Sequence, residues 1–178
     1  MVLATQNPIE MEGTYPLPEA QVDRFFFKLL ARYPSHAEMG RIADITTAAS
    51  PPPLRKILGA DGVLGIRNGV REVPLAEVVK DYAVRLVLAT HPQGEWSVPL
   101  ARRFVLYGSS PRGLQSIILA AKARSFFSER PNVSFDDIRA VLMPSLRHRL
   151  LLNLAADAEG ITTEKILGEV LEQISEVV

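Results

Sequence analysis

Apolar residues recur at helical spacing through most of the chain after Pro74, and this periodicity constrains the fold more than any other feature of the sequence. In the first such stretch the apolar positions follow the pattern i, i+3, i+4, i+7 and i+11 and are occupied by Leu75, Val78, Val79, Tyr82 and Leu86. Side chains at this spacing share one face of an α-helix. We therefore expect this part of the chain to form a bundle of amphipathic helices.

Three further apolar stripes each follow a helix-start signal. Ser110 and Pro111 supply an N-cap and a first-turn proline, and Ser134 with Asp137 forms a variant of the capping box. Thr162 is the predicted N-cap of the last helix. The predicted inward-facing residues of these helices are Leu114, Ile117, Ile118 and Ala121, then Phe135, Ile138, Val141, Leu142 and Leu146, and finally Ile166, Leu167, Val170, Leu171 and Ile174.

The middle of the chain, residues 35–72, is predicted to contain one helix and a connecting segment. Ser35 and Glu38 have the spacing of a capping box, which predicts a helix that ends near residue 48. The sequence SPPP at residues 50–53 cannot continue a helix, because each proline lacks a backbone donor. Residues 59–69 contain four glycines whose spacing fits neither a phosphate-binding loop nor a dinucleotide fingerprint, so we expect a flexible connection there.

The first 34 residues have a different pattern from the rest. The apolar run Val2-Leu3-Ala4 becomes polar at Thr5 and stops at Pro8, which predicts the end of a buried strand. A loop containing prolines follows, and a short helix is predicted over residues 19–25. Residues 25–33, FFFKLLARY, are compatible with a strand or with a helix extension. Near the other end of the chain, residues 149–153 are compatible with a short strand or an extended segment.

The composition excludes several classes of function. The 20 basic residues equal the 20 acidic ones among 178, which argues against a nucleic-acid-binding surface. The absence of cysteine excludes disulfides, thiol catalysis and cysteine-ligated metals, and it is in line with a cytoplasmic protein. No uncharged apolar run approaches the ~20 residues of a membrane span. The three histidines are scattered, which argues against a zinc site, and GSSPR at residues 108–112 fails the nucleophile elbow of serine hydrolases.

Several longer strings are similar to those of a known family. They are ATQNP at residues 4–8, EGTYPLPEAQ at 12–21, DRF at 23–25, YGSSPR at 107–112, VSFDDI at 133–138 and LRHRL at 146–150. Together they resemble the MoxR family of AAA+ ATPases over nearly the whole chain. The resemblance implies a mainly α fold, with a helical lid bundle and a short α/β remnant of the P-loop nucleotide-binding core. It implies that residues 1–34 belong to that core, that residues 35–72 form a connecting helix and linker, and that residues 73–178 form the helical lid. It also favours a strand for residues 25–33.

The resemblance also implies roles for three residues. Asn7 matches the sensor 1 asparagine, which orients the attacking water near the γ-phosphate of ATP. Arg24 matches an arginine finger that reaches the nucleotide of a neighbouring subunit; the alternative is an ion pair with Asp23 or Glu19, or a solvated side chain. Arg112 matches sensor 2. A cation in the first helical turn is unfavourable unless an anion faces it, so the alternative is a surface arginine compensated by a nearby acid.

The basic cluster at residues 147–149 permits two interpretations. It could bind phosphate or a partner, but we expect it to complement the negative C-terminal end of the preceding helix.

Two motifs of such ATPases do not occur in the sequence, namely G-x-x-x-x-G-K-[ST] and an apolar run that ends in Asp-Glu. The chain therefore resembles the C-terminal portion of the family. The resemblance implies ATP and Mg²⁺ as cofactors of the intact protein, and we expect neither to bind tightly to this chain alone.

The implied function is chaperone-like, ATP-driven remodelling of an unknown client protein by a ring of subunits. We expect this chain alone not to hydrolyse ATP. The alternative is a non-catalytic helical module that uses the lid as a docking surface, and a DNA-binding role is disfavoured by the neutral charge.

Overall fold

In the computed structural model, helices are the main element and the apolar core is built from residues after position 72. The structure describes residues 2–6, 17–50 and 53–176. Every residue of the buried apolar core lies between Val73 and Ile174. This confirms the mainly α fold that the sequence predicts.

The described residues form nine helices and two short strands. The helices are α1 (Glu19–Val22), α2 (His36–Thr46), α3 (Ala60–Glu72), α4 (Glu77–Ala89), α5 (Pro99–Phe104), α6 (Pro111–Phe127), α7 (Phe135–Leu146), α8 (Leu154–Ala158) and α9 (Thr163–Gln173). The strands β1 (Val105–Tyr107) and β2 (Leu151–Leu152) pair antiparallel, with Val105 opposite Leu152 and Tyr107 opposite Leu151. Among the described residues, no helix is long and apolar enough to cross a bilayer.

The predicted helix starts are confirmed by their capping hydrogen bonds. The Ser110 side chain accepts from the amide of Arg112 at the start of α6. At the start of α7, Ser134 and Asp137 form a reciprocal capping box. Thr162 accepts from the amide of Lys165 at the start of α9, and Ser35 forms a capping box with Glu38 at the start of α2. Each cap satisfies an amide that has no partner inside its helix.

Helices α4, α6, α7 and α9 pack around one core. The Tyr82 ring of α4 meets the Phe135 ring of α7 edge to face, with ring centroids 5.4 Å apart. Ile117 of α6, Leu142 of α7 and Leu167 of α9 are fully buried beside them. The predicted stripes face this core with two exceptions among the described residues. Val78 of α4 is 45% exposed, and Ile118 of α6 is only partly buried and does not belong to the core.

Asp137 is a buried charge that fixes the start of α7. Its carboxylate accepts hydrogen bonds from Arg130 Nη1 and Nη2 at 2.7 and 2.5 Å and from the Ser134 amide at 2.9 Å. Burial alone would raise the pKa of Asp137, but the bonds from Arg130 and Ser134 outweigh it and hold the pKa below its usual range. The loop before α7 is thereby tied to its first turn.

The flexible connection predicted for residues 59–69 is wrong, because these residues form most of α3. Its apolar residues recur at helical spacing, and α3 packs against α6. A Cβ atom on Gly69 would lie 2.7 Å from Cε2 of Phe126, so the absence of a side chain allows this close approach. Tertiary packing therefore outweighs the low helix propensity of glycine.

The two N-terminal strands expected from the sequence are also not formed. Residues 2–6 are exposed and irregular, and the segment between Phe27 and Ser35 is irregular too. A strand requires a neighbour that accepts its ladder of hydrogen bonds, and no such neighbour lies beside either segment in the described part of the chain. Lys28 instead donates its amide to the Pro144 carbonyl at 2.9 Å. Helices α5 and α8 and strand β1 were not predicted, whereas β2 lies in the segment for which a short strand was one option.

Candidate functional site

The structure describes two of the three residues singled out in the sequence. Asn7 lies outside the described residues, so its role stays a prediction. Arg24 follows α1, and Arg112 lies in the first turn of α6. Asp23, which precedes Arg24, brings these two segments together.

Helix α1 ends in a turn whose two residues, Asp23 and Arg24, differ in exposure. The Asp23 amide donates to the Glu19 carbonyl at 2.9 Å, and the Arg24 amide donates to the Gln21 carbonyl at 3.2 Å. The Asp23 side chain faces the lid and is 17% exposed. The Arg24 residue is exposed to solvent.

Asp23 accepts hydrogen bonds from three residues of the lid. Ser110 Oγ donates to its two carboxylate oxygens at 2.8 and 3.0 Å, and Arg112 Nη1 donates at 2.9 Å. Arg149 Nε donates at 3.3 Å. Partial burial would raise the pKa of Asp23, but the bonds from Arg112 and Ser110 and the charge of Arg149 outweigh it and lower the pKa.

Arg112 is compensated by this carboxylate. Its side chain is 53% exposed, and its partner in the described part of the chain is Asp23. A cation near a helix N-terminus is unfavourable unless an anion lies beside it, and Asp23 supplies that anion for Arg112 within the chain. This is the alternative interpretation of Arg112. A phosphate contact would require Arg112 to leave Asp23 or to bind both anions.

Arg24 has no ion pair in the described part of the chain. The alternative pairing with Asp23 is not formed, because Arg112 and Arg149 occupy that carboxylate. Pairing with Glu19 is not formed either, since no ion pair joins them.

Arg149 belongs to the basic cluster at residues 147–149, but its contacts with the segment after α1 were not predicted from the sequence. Its side chain is 2% exposed and donates to the Asp23 carboxylate and to backbone carbonyls of the segment after α1. Its hydrogen-bond acceptors are the Asp23 carboxylate, the backbone carbonyls of Asp23, Phe25, Phe26 and Ser145, and Ser116 Oγ. Burial lowers the pKa of Arg149 and the charge of Asp23 opposes this shift.

The expectation that residues 147–149 complement a helix C-terminus is confirmed for the two arginines. Arg147 Nε donates to the Met143 carbonyl at 3.3 Å, and Arg149 donates to the Ser145 carbonyl. His148 differs, because its Nε2 lies 3.0 Å from the Phe25 carbonyl while its Nδ1 is buried without a partner among the described residues. Burial lowers the pKa of His148, partly opposed by the Phe25 carbonyl. A neutral ring that donates from Nε2 fits this environment.

A shallow cavity of about 250 Å³ lies beside the cluster, bordered by Asp23, Tyr107, Ser110, His148 and Arg149. Its volume is below the ~300–1,000 Å³ typical of small-molecule sites. The described residues also contain no group of three or more His, Cys, Asp or Glu that could hold a metal ion.

Two family sequence models match the chain. One, described as "AAA lid domain", matches residues 100–170. The other, described as "ATPase family associated with various cellular activities (AAA)", matches residues 1–27. The Asp23 cluster joins the two matched regions, because Asp23 lies in the second and Arg112 and Arg149 lie in the first.

Curated relatives align with nearly the whole chain. Chaperone MoxR1 of Mycobacterium tuberculosis is 37% identical over 175 residues, which are 98% of this chain and 46% of that protein. The uncharacterized protein YeaC of Bacillus subtilis is 36% identical over 97% of this chain and 52% of its own length. Protein MoxR of Paracoccus denitrificans is 32% identical over 86% of this chain and 49% of its own length. The chain thus spans about half the length of these relatives.

A solved structure has the same fold. A crystal structure from Cytophaga hutchinsonii, described as that of a candidate ATPase, superposes with a TM-score of 0.89 at 37% sequence identity. The match covers 96% of this chain and 52% of that one. The arrangement of helices described above is therefore shared with a longer chain.

Proposed function

Because this chain is a MoxR-like AAA+ sequence over nearly its whole length, we propose that it serves as the sensor and lid portion of a chaperone-like ATPase. In this proposal ATP hydrolysis drives the remodelling of a partner protein, and the subunits act together in a ring. The observation that carries the proposal is that Arg24 is exposed, has no ion pair among the described residues and lies on a turn that is held against the lid.

Arg24 is proposed to act on the nucleotide of an adjoining subunit. A guanidinium delivered to the transferring phosphoryl group stabilises its negative charge, and such residues contribute roughly 10³–10⁵ in rate. The exposure of Arg24 and its lack of an ion pair in the described residues support this role. An exposed arginine can act on the nucleotide of another subunit only if that subunit lies beside it, so the proposal includes an oligomer.

Arg112 and Asn7 are proposed to contact the nucleotide side of the same reaction. Arg112 would exchange its bond to Asp23 for a phosphate, which its 53% exposure permits. Asn7 would orient the attacking water, as the ATQNP string suggests. We further propose the division into core residues 1–34, connecting residues 35–72 and lid residues 73–178, supported by a buried core that begins at Val73.

ATP and Mg²⁺ are proposed for the complete ATPase and not for this chain by itself. The sequence has no G-x-x-x-x-G-K-[ST] loop to bind the phosphates, and the described residues offer no metal-binding group. We therefore expect the purified 178-residue protein to show no ATP turnover above background. A clear turnover that Arg112→Ala abolishes would contradict this part of the proposal.

The decisive experiment begins with the DNA upstream of the Met1 codon. We expect an open frame that encodes a G-K-[ST] loop and an Asp-Glu motif. ATP hydrolysis is then measured on the longer product, with Arg24→Ala subunits mixed with Asn7→Ala subunits. Each variant alone should be inactive, and mixing should restore part of the activity, because the finger of an Asn7→Ala subunit can serve the otherwise intact site of an Arg24→Ala neighbour. No recovery on mixing would contradict a finger that acts on a neighbour. Arg32→Ala, an exposed arginine of the same segment, is the matched control and should leave the rate unchanged.

A non-catalytic interaction module remains a second candidate, and one observation favours it. The lid residues bury a complete core among themselves, whereas α2 buries no residue. A domain of this kind can fold without the rest of an ATPase. A stop codon immediately upstream of Met1, together with a monodisperse and monomeric 178-residue protein, would support the module. Aggregation through exposed apolar residues such as Leu29 and Leu54 would oppose it.

A further inference from the structure

We propose that Arg149 is a positioning residue for Arg24, because its buried guanidinium binds the backbone on both sides of Arg24 and fixes the direction in which that side chain leaves the surface. The inference depends on the proposed function only for the role of Arg24. The contact itself joins the segment after α7 to the end of α1.

The first argument is the choice of acceptors. Nη2 of Arg149 donates to the carbonyls of Asp23 and Phe25 at 3.1 and 2.8 Å, and Nη1 donates to the carbonyl of Phe26 at 3.4 Å. These three carbonyls flank Arg24. Binding them restrains the backbone at residue 24 without any contact to its side chain, which stays exposed.

The second argument is burial. The Arg149 side chain is 2% exposed, and a charge removed from water is tolerated only when its donors are occupied. Nε binds the Asp23 carboxylate at 3.3 Å, and Ser116 Oγ accepts from Nη2 at 3.0 Å. All three nitrogens of the planar fork are therefore used. A lysine ammonium is a point donor and cannot span this set of acceptors.

The third argument is that the same turn is held by neighbours of Arg149. His148 Nε2 binds the Phe25 carbonyl at 3.0 Å, and the Lys28 amide binds the Pro144 carbonyl at 2.9 Å. Asp23 is shared with Arg112. The Asp23 carboxylate therefore connects the turn that carries Arg24 to Arg112, and Arg149 binds the same carboxylate.

The test measures the position of residue 24 directly. Because the chain has no native cysteine, Arg24→Cys and Glu172→Cys can be labelled with nitroxides at these two sites alone. Both residues are exposed, and Glu172 is at the end of α9, within the lid. Distance distributions are recorded by double electron–electron resonance, with and without Arg149→Ala. The label pair Gln115→Cys and Glu172→Cys, both within the lid, reports whether the lid itself is intact.

We expect a narrow 24–172 distribution in the parent and a broad one in Arg149→Ala, while the 115–172 distribution stays narrow. The exchange rate of the Lys28 amide should rise about tenfold or more, the change expected from loss of a hydrogen bond to a charged group. Arg103→Ala, which removes an exposed arginine elsewhere in the lid, should change neither readout.

The outcomes separate a positioning role from a purely structural one. A lower melting temperature with an unchanged 24–172 distribution would overturn the proposal. If Arg149→Ala also broadens the 115–172 distribution, the test is repeated with Arg149→Lys, which keeps a buried cation. A 24–172 distribution in Arg149→Lys as narrow as that of the parent would then overturn the proposal. Failure of Arg24→Ala to alter ATP hydrolysis would refute the finger and leave the distance result standing.

Discussion

Gly113 offers the most direct test of how tightly the lid packs around the Arg149 site. It lies in the first turn of α6, buried between that helix and α7. A Cβ atom added there would overlap Ser109 Oγ, lie 2.7 Å from Leu146 Cδ2 and lie 3.3 Å from Arg149 Cδ. Leu146 is fully buried and cannot move without displacing its neighbours.

Two opposing effects determine the result of Gly113→Ala. Replacing a helical glycine by alanine stabilises by up to about 1 kcal/mol. Overpacking a dense core costs about 1–3 kcal/mol. We expect overpacking to dominate, because three separate groups lie too close, and to leave a net loss of about 1–2 kcal/mol in the free energy of unfolding. For a chain of this size that lowers the melting temperature by about 2–8 °C.

The matched control is Gly168→Ala in α9, where an added Cβ would meet no atom within 4 Å. There only the helix propensity changes, so stability should rise by about 0.5–1 kcal/mol. Both variants are compared by urea unfolding, monitored by tryptophan fluorescence. The reasoning is refuted if Gly113→Ala stabilises the protein as much as Gly168→Ala does.

Two further predictions concern buried polar groups. Burial lowers the pKa of His148 below its ordinary value of 6.5, so the unfolded chain takes up a proton at a higher pH than the folded protein does. The melting temperature should therefore fall as the pH drops below about 6.5. His148→Gln should make the melting temperature less dependent on pH in this range. Asp137→Ala removes the acceptor of Arg130 and of the α7 cap, so it should cost about 2–4 kcal/mol. Arg103→Ala, which breaks an exposed pair, should cost less than about 1 kcal/mol in the same urea titration, and equal losses would contradict the reasoning.

The helices of the lid could be predicted because their signals are local. Ser110, Ser134 and Thr162 each cap the helix that the sequence places after them, and the apolar stripes face the core. Helix α3 was missed although its apolar residues recur at helical spacing. Its glycines favour a loop, and the surface of α6 on which it packs is formed by residues distant in sequence.

The candidate site was only partly visible in the sequence. Arg24 and Arg112 were chosen for their resemblance to known motifs, and the acid expected near Arg112 is Asp23. Arg149 was assigned to the C-terminus of α7, and it does reach the Ser145 carbonyl there. Its larger role depends on burial and on acceptors more than a hundred residues away, which no local pattern encodes.

Helix α2 has a consequence for how the protein melts. Its eleven residues are all exposed, so its capping box stabilises a helix that no core supports. Helices of this length are marginal in water unless they are packed. Ellipticity should therefore decline gradually on warming while the emission maximum of Trp96, which packs against the apolar core, stays constant. The two spectroscopic curves will separate, and a single enthalpy fitted to the ellipticity will underestimate the cooperativity of the lid.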